Sequence, residues 1–97
     1  MAQSPQRAPD RDLLLANHAF PGEYLVKAFG PSSDRFRVEV RAVALAIFGE
    51  ERASLLERTS SKGGRVCITV TVNARTVDEV IDLYERIHEV HELMLVL

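Results

Sequence analysis

The chain has 97 residues, 46% of them hydrophobic and 27% charged, which is enough for one folded domain and too few for a second core. Twelve basic against fourteen acidic residues leave a formal charge of −2, which argues against a protein that works on phosphate backbones. No apolar run approaches the ~18 residues of a membrane span. A lone cysteine, Cys67, excludes an intramolecular disulfide, and the first twelve residues lack the apolar stretch of a secretory signal, so a reducing, cytoplasmic setting is expected.

Residues 1–18 read as a flexible N-terminal arm. Pro5, Pro9 and the charged tract 10–12 show no apolar periodicity, and only 12–17 suggest a helical turn, with Asp12 as its N-cap. Residues 19–97 read as a single domain. Phe20-Pro21-Gly22 punctuates its start, and Glu23–Phe29 alternates as a strand, with Tyr24, Val26 and Ala28 on one face and Leu25, Lys27 and Phe29 on the other. Gly30-Pro31 ends the strand, and Ser32, Ser33 and Asp34 are all suited to cap a helix. Between 36 and 41 the sequence alternates like a strand, yet Phe36, Val40, Val43, Ala44 and Ile47 form a longer helical stripe. The spacing therefore predicts a helix over 34–48, with Gly49 as its stop.

A hairpin follows. Residues 53–59 and 65–72 are strands about a Ser60–Gly64 turn, with Val66, Ile68, Val70 and Val72 on one face and Cys67, Thr69 and Thr71 on the other. Thr76 and Glu79 have the spacing of a capping box, in which each side chain satisfies the other's backbone N–H. A helix with Val77, Val80, Ile81, Tyr84 and Ile87 on one side comes next, and residues 91–97 are expected as a last strand. The order strand-helix-strand-strand-helix-strand, with right-handed crossovers, implies an α+β ferredoxin-like βαββαβ sandwich. Its four-stranded antiparallel sheet has the order 4-1-3-2, and both helices lie on one face.

Several segments together resemble the YbeD-like family of small bacterial proteins, a domain family of unknown function. They are Phe20-Pro21 before a strand with Lys27 and Gly30, the Ser60-Ser61-Lys62-Gly63 turn, Thr71-Val72-Asn73-Ala74, the helix with Leu83-Tyr84-Glu85, and the terminal Met94-Leu95-Val96-Leu97. The resemblance implies a ferredoxin-like fold similar to ACT regulatory domains, which supports helix over 34–48. It brings no catalytic residues.

No nucleophile–base pair or carboxylate pair stands out, so no enzyme activity, catalytic residue or cofactor is expected. Cys67 reads as a small strand residue. His88 and His91 are three apart, but the helix is expected to end between them, so no metal site is expected. The glycine-bearing Ser61–Gly64 stretch lacks the spacing of a phosphate-binding loop. RNA binding on this topology stacks bases on aromatics of the central strands, and here Phe29 is the single aromatic on that face, so no nucleic-acid partner is expected.

Two surfaces remain. The sheet face opposite the helices is expected to carry Leu25, Lys27, Phe29, Cys67, Thr69, Thr71, Met94 and Val96, with Leu93, Leu95 and Leu97 turned inward. An apolar patch of this kind marks a partner surface or a self-association surface. The turn Gly30, Ser32, Ser33, Asp34 at a helix N-terminus is the alternative, a place for a small ligand as in an ACT-like sensor. The leading expectation is a non-enzymatic regulatory or adaptor module that acts through protein contacts.

Overall fold

A computed structural model describes residues 7–97 of the chain. The expected flexibility of residues 1–6 lies outside the described residues. The elements are α1 (Arg11–Asn17), β1 (Gly22–Pro31), α2 (Asp34–Arg52), β2 (Ala53–Thr59), β3 (Arg65–Ala74), α3 (Val77–Ile87) and β4 (Leu95–Val96). The four strands form one antiparallel sheet in the order β2-β3-β1-β4, the expected order read from its other edge.

The sheet is built around its centre. β1 and β3 pair antiparallel over ten residues, from Gly22 opposite Ala74 to Pro31 opposite Arg65. Both strands alternate with period two, so Tyr24, Val26 and Ala28 share a face with Val66, Ile68, Val70, Val72 and Ala74. All eight are buried, and α2 and α3 close over them with Phe36, Val40, Ala44, Phe48, Val80, Leu83 and Ile87. At the edge of this core the Tyr24 and Tyr84 hydroxyls lie 3.1 Å apart, and burial pushes the Tyr84 phenol above its ordinary pKa, assisted by that hydrogen bond.

The segment that alternates between 36 and 41 is helical, because the stripe Phe36, Val40, Ala44, Phe48 buries one side of α2 against the sheet. Ser33 caps α2 by accepting the Phe36 N–H. Gly49 interrupts the helix at φ 74°, a left-handed conformation that suits glycine, and the chain enters β2 after one further helical turn.

Two expectations need correction. Residues 11–17, assigned to the arm, form α1. Its N-cap is Asp10, which accepts the Asp12 N–H, and not Asp12. Leu14 is buried in the core, and Arg11 pairs with Asp78 of α3, so these residues have both an apolar and an ionic anchor. The last strand is also shorter than expected and displaced by one residue. Val96 stands opposite the buried Ala28 and turns inward, whereas Leu95 stands opposite Phe29 on the open face. Leu97 exchanges both backbone hydrogen bonds with Lys27 and so joins Leu95 on that face. The cause is the turn after α3, where Glu92 takes φ 66° and Val90 fills a core position. This turn delivers the Met94 N–H to the Phe29 carbonyl, which sets the register of everything after it.

Thr76 Oγ1 caps α3 by accepting the Glu79 N–H, and the Glu79 carboxylate turns back toward the entering backbone, where Oε1 accepts the Arg75 N–H and the Thr76 N–H also faces it. Arg52 from the end of α2 grips the same carboxylate with two bonds of 3.0 and 2.9 Å, tying the two helices together. The Arg52 guanidinium first, and then the Arg75 N–H, hold the Glu79 carboxyl below its ordinary pKa. Stability from this site is therefore present above the pKa of the unfolded carboxyl and is lost as pH falls through the lowered folded value. We expect Glu79→Gln to cost about 1–3 kcal/mol at pH 7 and less at acid pH. Urea denaturation of both proteins across pH measures it; an unchanged midpoint at pH 7 would contradict the assignment.

Candidate functional site

The face of the sheet opposite the helices has no cover from the described residues. The strand registers arrange its side chains in rows. Arg58 of β2 lies opposite Cys67 of β3, Cys67 opposite Phe29 of β1, and Phe29 opposite Leu95 of β4. The next row runs Leu56, Thr69, Lys27 and Leu97, and the one beyond it Ser54, Thr71 and Leu25. Phe29, Cys67, Thr69 and Thr71 are half-buried in the middle of the face, and Leu25, Leu56, Leu95 and Leu97 are exposed around them.

Of the open-face residues expected from the sequence, Leu25, Lys27, Phe29, Cys67, Thr69 and Thr71 lie where expected. Met94 precedes β4, is exposed, and borders the same surface beside Phe29 and Leu95. Val96 does not belong to it, and Leu95 and Leu97 take its place. The sequence reading also missed Leu56 and Arg58. Their signal was present, because Ser54, Leu56 and Arg58 alternate, but only the pairing of Arg58 with Cys67 across the turn fixes which face they take.

At one end of the face the surface sinks into a groove of about 590 Å³ lined by Phe29, Arg58, Ser60, Ser61, Arg65, Cys67, Met94 and Leu95, with Thr59 and Val66. Its floor is apolar, and two arginines and several hydroxyls border it. Neither Arg58, Arg65 nor the neighbouring Lys27 forms an ion pair with a described residue. A chain of net charge −2 thus gathers three uncompensated cations on one apolar surface. Such a surface is chemically matched to a partner that carries apolar and acidic groups together.

The turn Gly30, Ser32, Ser33, Asp34 is occupied by its own structure. Ser33 Oγ is spent on capping α2, and Ser32 Oγ accepts a 2.8 Å bond from Arg37. Arg37 also reaches Glu57 of β2 at 2.5 Å and Asp34 at 3.9 Å, so the turn is tied to the sheet edge. The ring of Phe36 lies on Gly30, where a Cβ would meet ring carbons at 2.5 Å. Glycine is needed there because the first turn of α2 packs directly onto the strand backbone.

Among the described residues no group of three or more His, Cys, Asp and Glu is placed to hold a metal ion. His88 is the C-cap of α3. His91 lies beyond it, and its backbone N–H donates to Glu39 of α2 at 2.8 Å; that bond leads the effects that hold the Glu39 carboxyl below its ordinary pKa. No described helix is long and apolar enough to cross a membrane.

The chain matches the model of a protein family of unknown function (DUF493) over residues 16–97. This is the YbeD family that its sequence resembles. No curated protein matches it.

The contact between Phe36 and Gly30 gives a direct test of how the turn is used. Gly30→Ala should destabilise the fold by about 1–3 kcal/mol, because the ring must move to admit a methyl group. Thermal and urea unfolding measure this. A variant as stable as the wild type would show that the turn has spare room.

Proposed function

We propose that this chain, which belongs to a family of proteins of unknown function (DUF493), is a non-enzymatic regulatory or adaptor module of the cytoplasm that binds a protein partner on the open face of its sheet. The observation that carries this reading is the row Arg58, Cys67, Phe29, Leu95, with Leu56, Leu97 and Lys27 beside it. Exposed leucines around half-buried central residues give desolvation energy, and the uncompensated cations give selectivity for an acidic, apolar partner.

A second reading is a small-molecule sensor, by similarity of this topology to ACT domains. The groove bordered by Arg58 and Arg65 supports it better than the Gly30–Asp34 turn, whose polar groups are already engaged. A face with Phe29 as its lone aromatic supports RNA binding least.

The first reading is tested with Leu95→Asp and Arg58→Glu, both on exposed sites of the face, and with Ala42→Glu on the exposed side of α2 as a control. Affinity capture from the native organism should recover a set of partners with the wild type and the control. The two sheet variants should lose that set. Equal recovery by all four proteins would contradict the reading. A metabolite carboxylate that raises the melting temperature of the wild type but not of Arg58→Glu would favour the sensor instead.

A further inference from the structure

The two edges of the sheet differ. β4 has two residues, whereas β2 has seven, Ala53–Thr59, and among the described residues pairs on one side alone. The Ser60 N–H donates to the Arg65 carbonyl, so in this register Arg58, Leu56 and Ser54 direct their backbone groups at β3. Ala53, Leu55, Glu57 and Thr59 then direct theirs away from the sheet. An unpaired row of this length is a template for another strand.

The side chains beside this row are the second observation. Leu56, on the open face, is 74% exposed, and Val38, on α2 above the other face, is 64% exposed; these are the two most exposed large hydrophobic residues described. They flank the same strand from opposite sides of the sheet. Between Val38 and the strand lies a recess of about 160 Å³ in which Leu55 and Ile68 are bordered by Arg37, Arg41 and Glu57. Leu56 below the unpaired backbone and Val38 above it are apolar side chains that a strand-to-strand interface would bury.

The sequence of β2 also selects its occupant. In an antiparallel pair, opposite residues share a face, so a two-fold axis between identical strands must pass through a residue. An axis at Glu57 or Arg58 sets identical charges against each other. An axis at Leu55 sets Arg58 against Arg52 of the other copy. An axis at Leu56 sets Leu56 against Leu56, Leu55 against Glu57, Ser54 against Arg58 and Ala53 against Thr59, with no like charges opposed. This register also matches the outward backbone groups of Ala53, Leu55, Glu57 and Thr59 with one another.

We propose that two copies of this chain pair edge to edge along β2 about an axis through Leu56, joining two four-stranded sheets into one. Val38 of each copy then lies beside the junction on the helix side, and Leu56 meets its counterpart on the open side. The open faces of the two copies become one continuous surface. This pairing runs along the β2 edge and takes Leu56 from the border of the partner face, and its test, the sedimenting mass, is separate from the capture of a partner.

Charge complementation tests it. Sedimentation at about 100 μM populates a dimer of micromolar affinity. The wild type should sediment at twice the 10.8 kDa chain mass. Leu56→Lys and Leu56→Glu should each sediment as monomers, and an equimolar mixture should regain the doubled mass. Leu95→Asp, on the open face away from β2, should keep it. The register is tested by oxidation in a Cys67→Ser background. Leu56→Cys would place two Cα atoms about 4.5 Å apart, within disulfide reach, and should cross-link. Ser54→Cys would place them about 13 Å apart and should not. A monomeric wild type overturns the proposal and leaves the edge to a strand from another protein. Dimeric single variants, or no dimer on mixing, also overturn it. Cross-linking through residue 54 in preference to 56 overturns the register.

Discussion

Ten residues of β1 facing ten of β3 hold the molecule together, and the two-residue alternation within that pair separates its chemistry into two faces. Every second residue of both strands is apolar and buried, from Tyr24 and Val72 to Gly30 and Val66. The residues between them, apart from the exposed Leu25, are polar or half-buried, and they form the floor of the open face. A slip of one residue in β3 would put Cys67, Thr69 and Thr71 under the helices and Val66, Ile68 and Val70 in water. The helices have no such freedom of choice, since each has one apolar stripe and the sheet has one wholly apolar face. Packing of Phe36 onto Gly30 then fixes where α2 begins, and the Arg52–Glu79 pair fixes how its end meets α3.

Much of this was legible before the structure, because the signals were local and repeated. The alternation over 65–72, the Thr76 cap and the stripe from Phe36 are properties of consecutive residues that tertiary contacts reinforce. The misread parts depend on contacts distant in sequence. The register of β4 is set by a tight turn at Glu92 and by one hydrogen bond to Phe29, more than sixty residues earlier in the chain. Alternating Met94, Leu95, Val96 and Leu97 carries no polar residue to break the tie between faces. The helix α1 has a similar cause, since a run of three leucines does not say which of them is buried until α3 supplies Asp78 for Arg11. Likewise, the charge on the open face was hidden, because Arg58 and Arg65 approach one another through the hairpin and not along the chain.

The two surfaces left by this architecture have different chemistry. The open face combines leucines, a half-buried phenylalanine and uncompensated cations, which suits a partner unlike itself, since two copies of this face would oppose like charges. The β2 edge combines an unpaired backbone with leucines and a valine and keeps its charges out of register, which suits a copy of itself. Joining two edges would place two open faces side by side. A partner with two acidic, apolar segments would then bind with the gain in effective concentration that linkage provides. In the proposed reading the face serves recognition and the edge serves assembly; the face is the one the β1–β3 register turns outward, and the edge is the outer side of β2.

That register is the claim on which the rest depends, and paired alanine substitutions on neighbouring residues of β3 test it most directly. Ile68 is buried beneath the helices, and Thr69 lies next to it on the open face. In urea denaturation, Ile68→Ala should lose about 2–5 kcal/mol, the cost of a cavity in a close-packed core, whereas Thr69→Ala should lose less than about 1 kcal/mol. Equal losses, or the larger loss at Thr69, would contradict the division of the sheet into a core face and an open face.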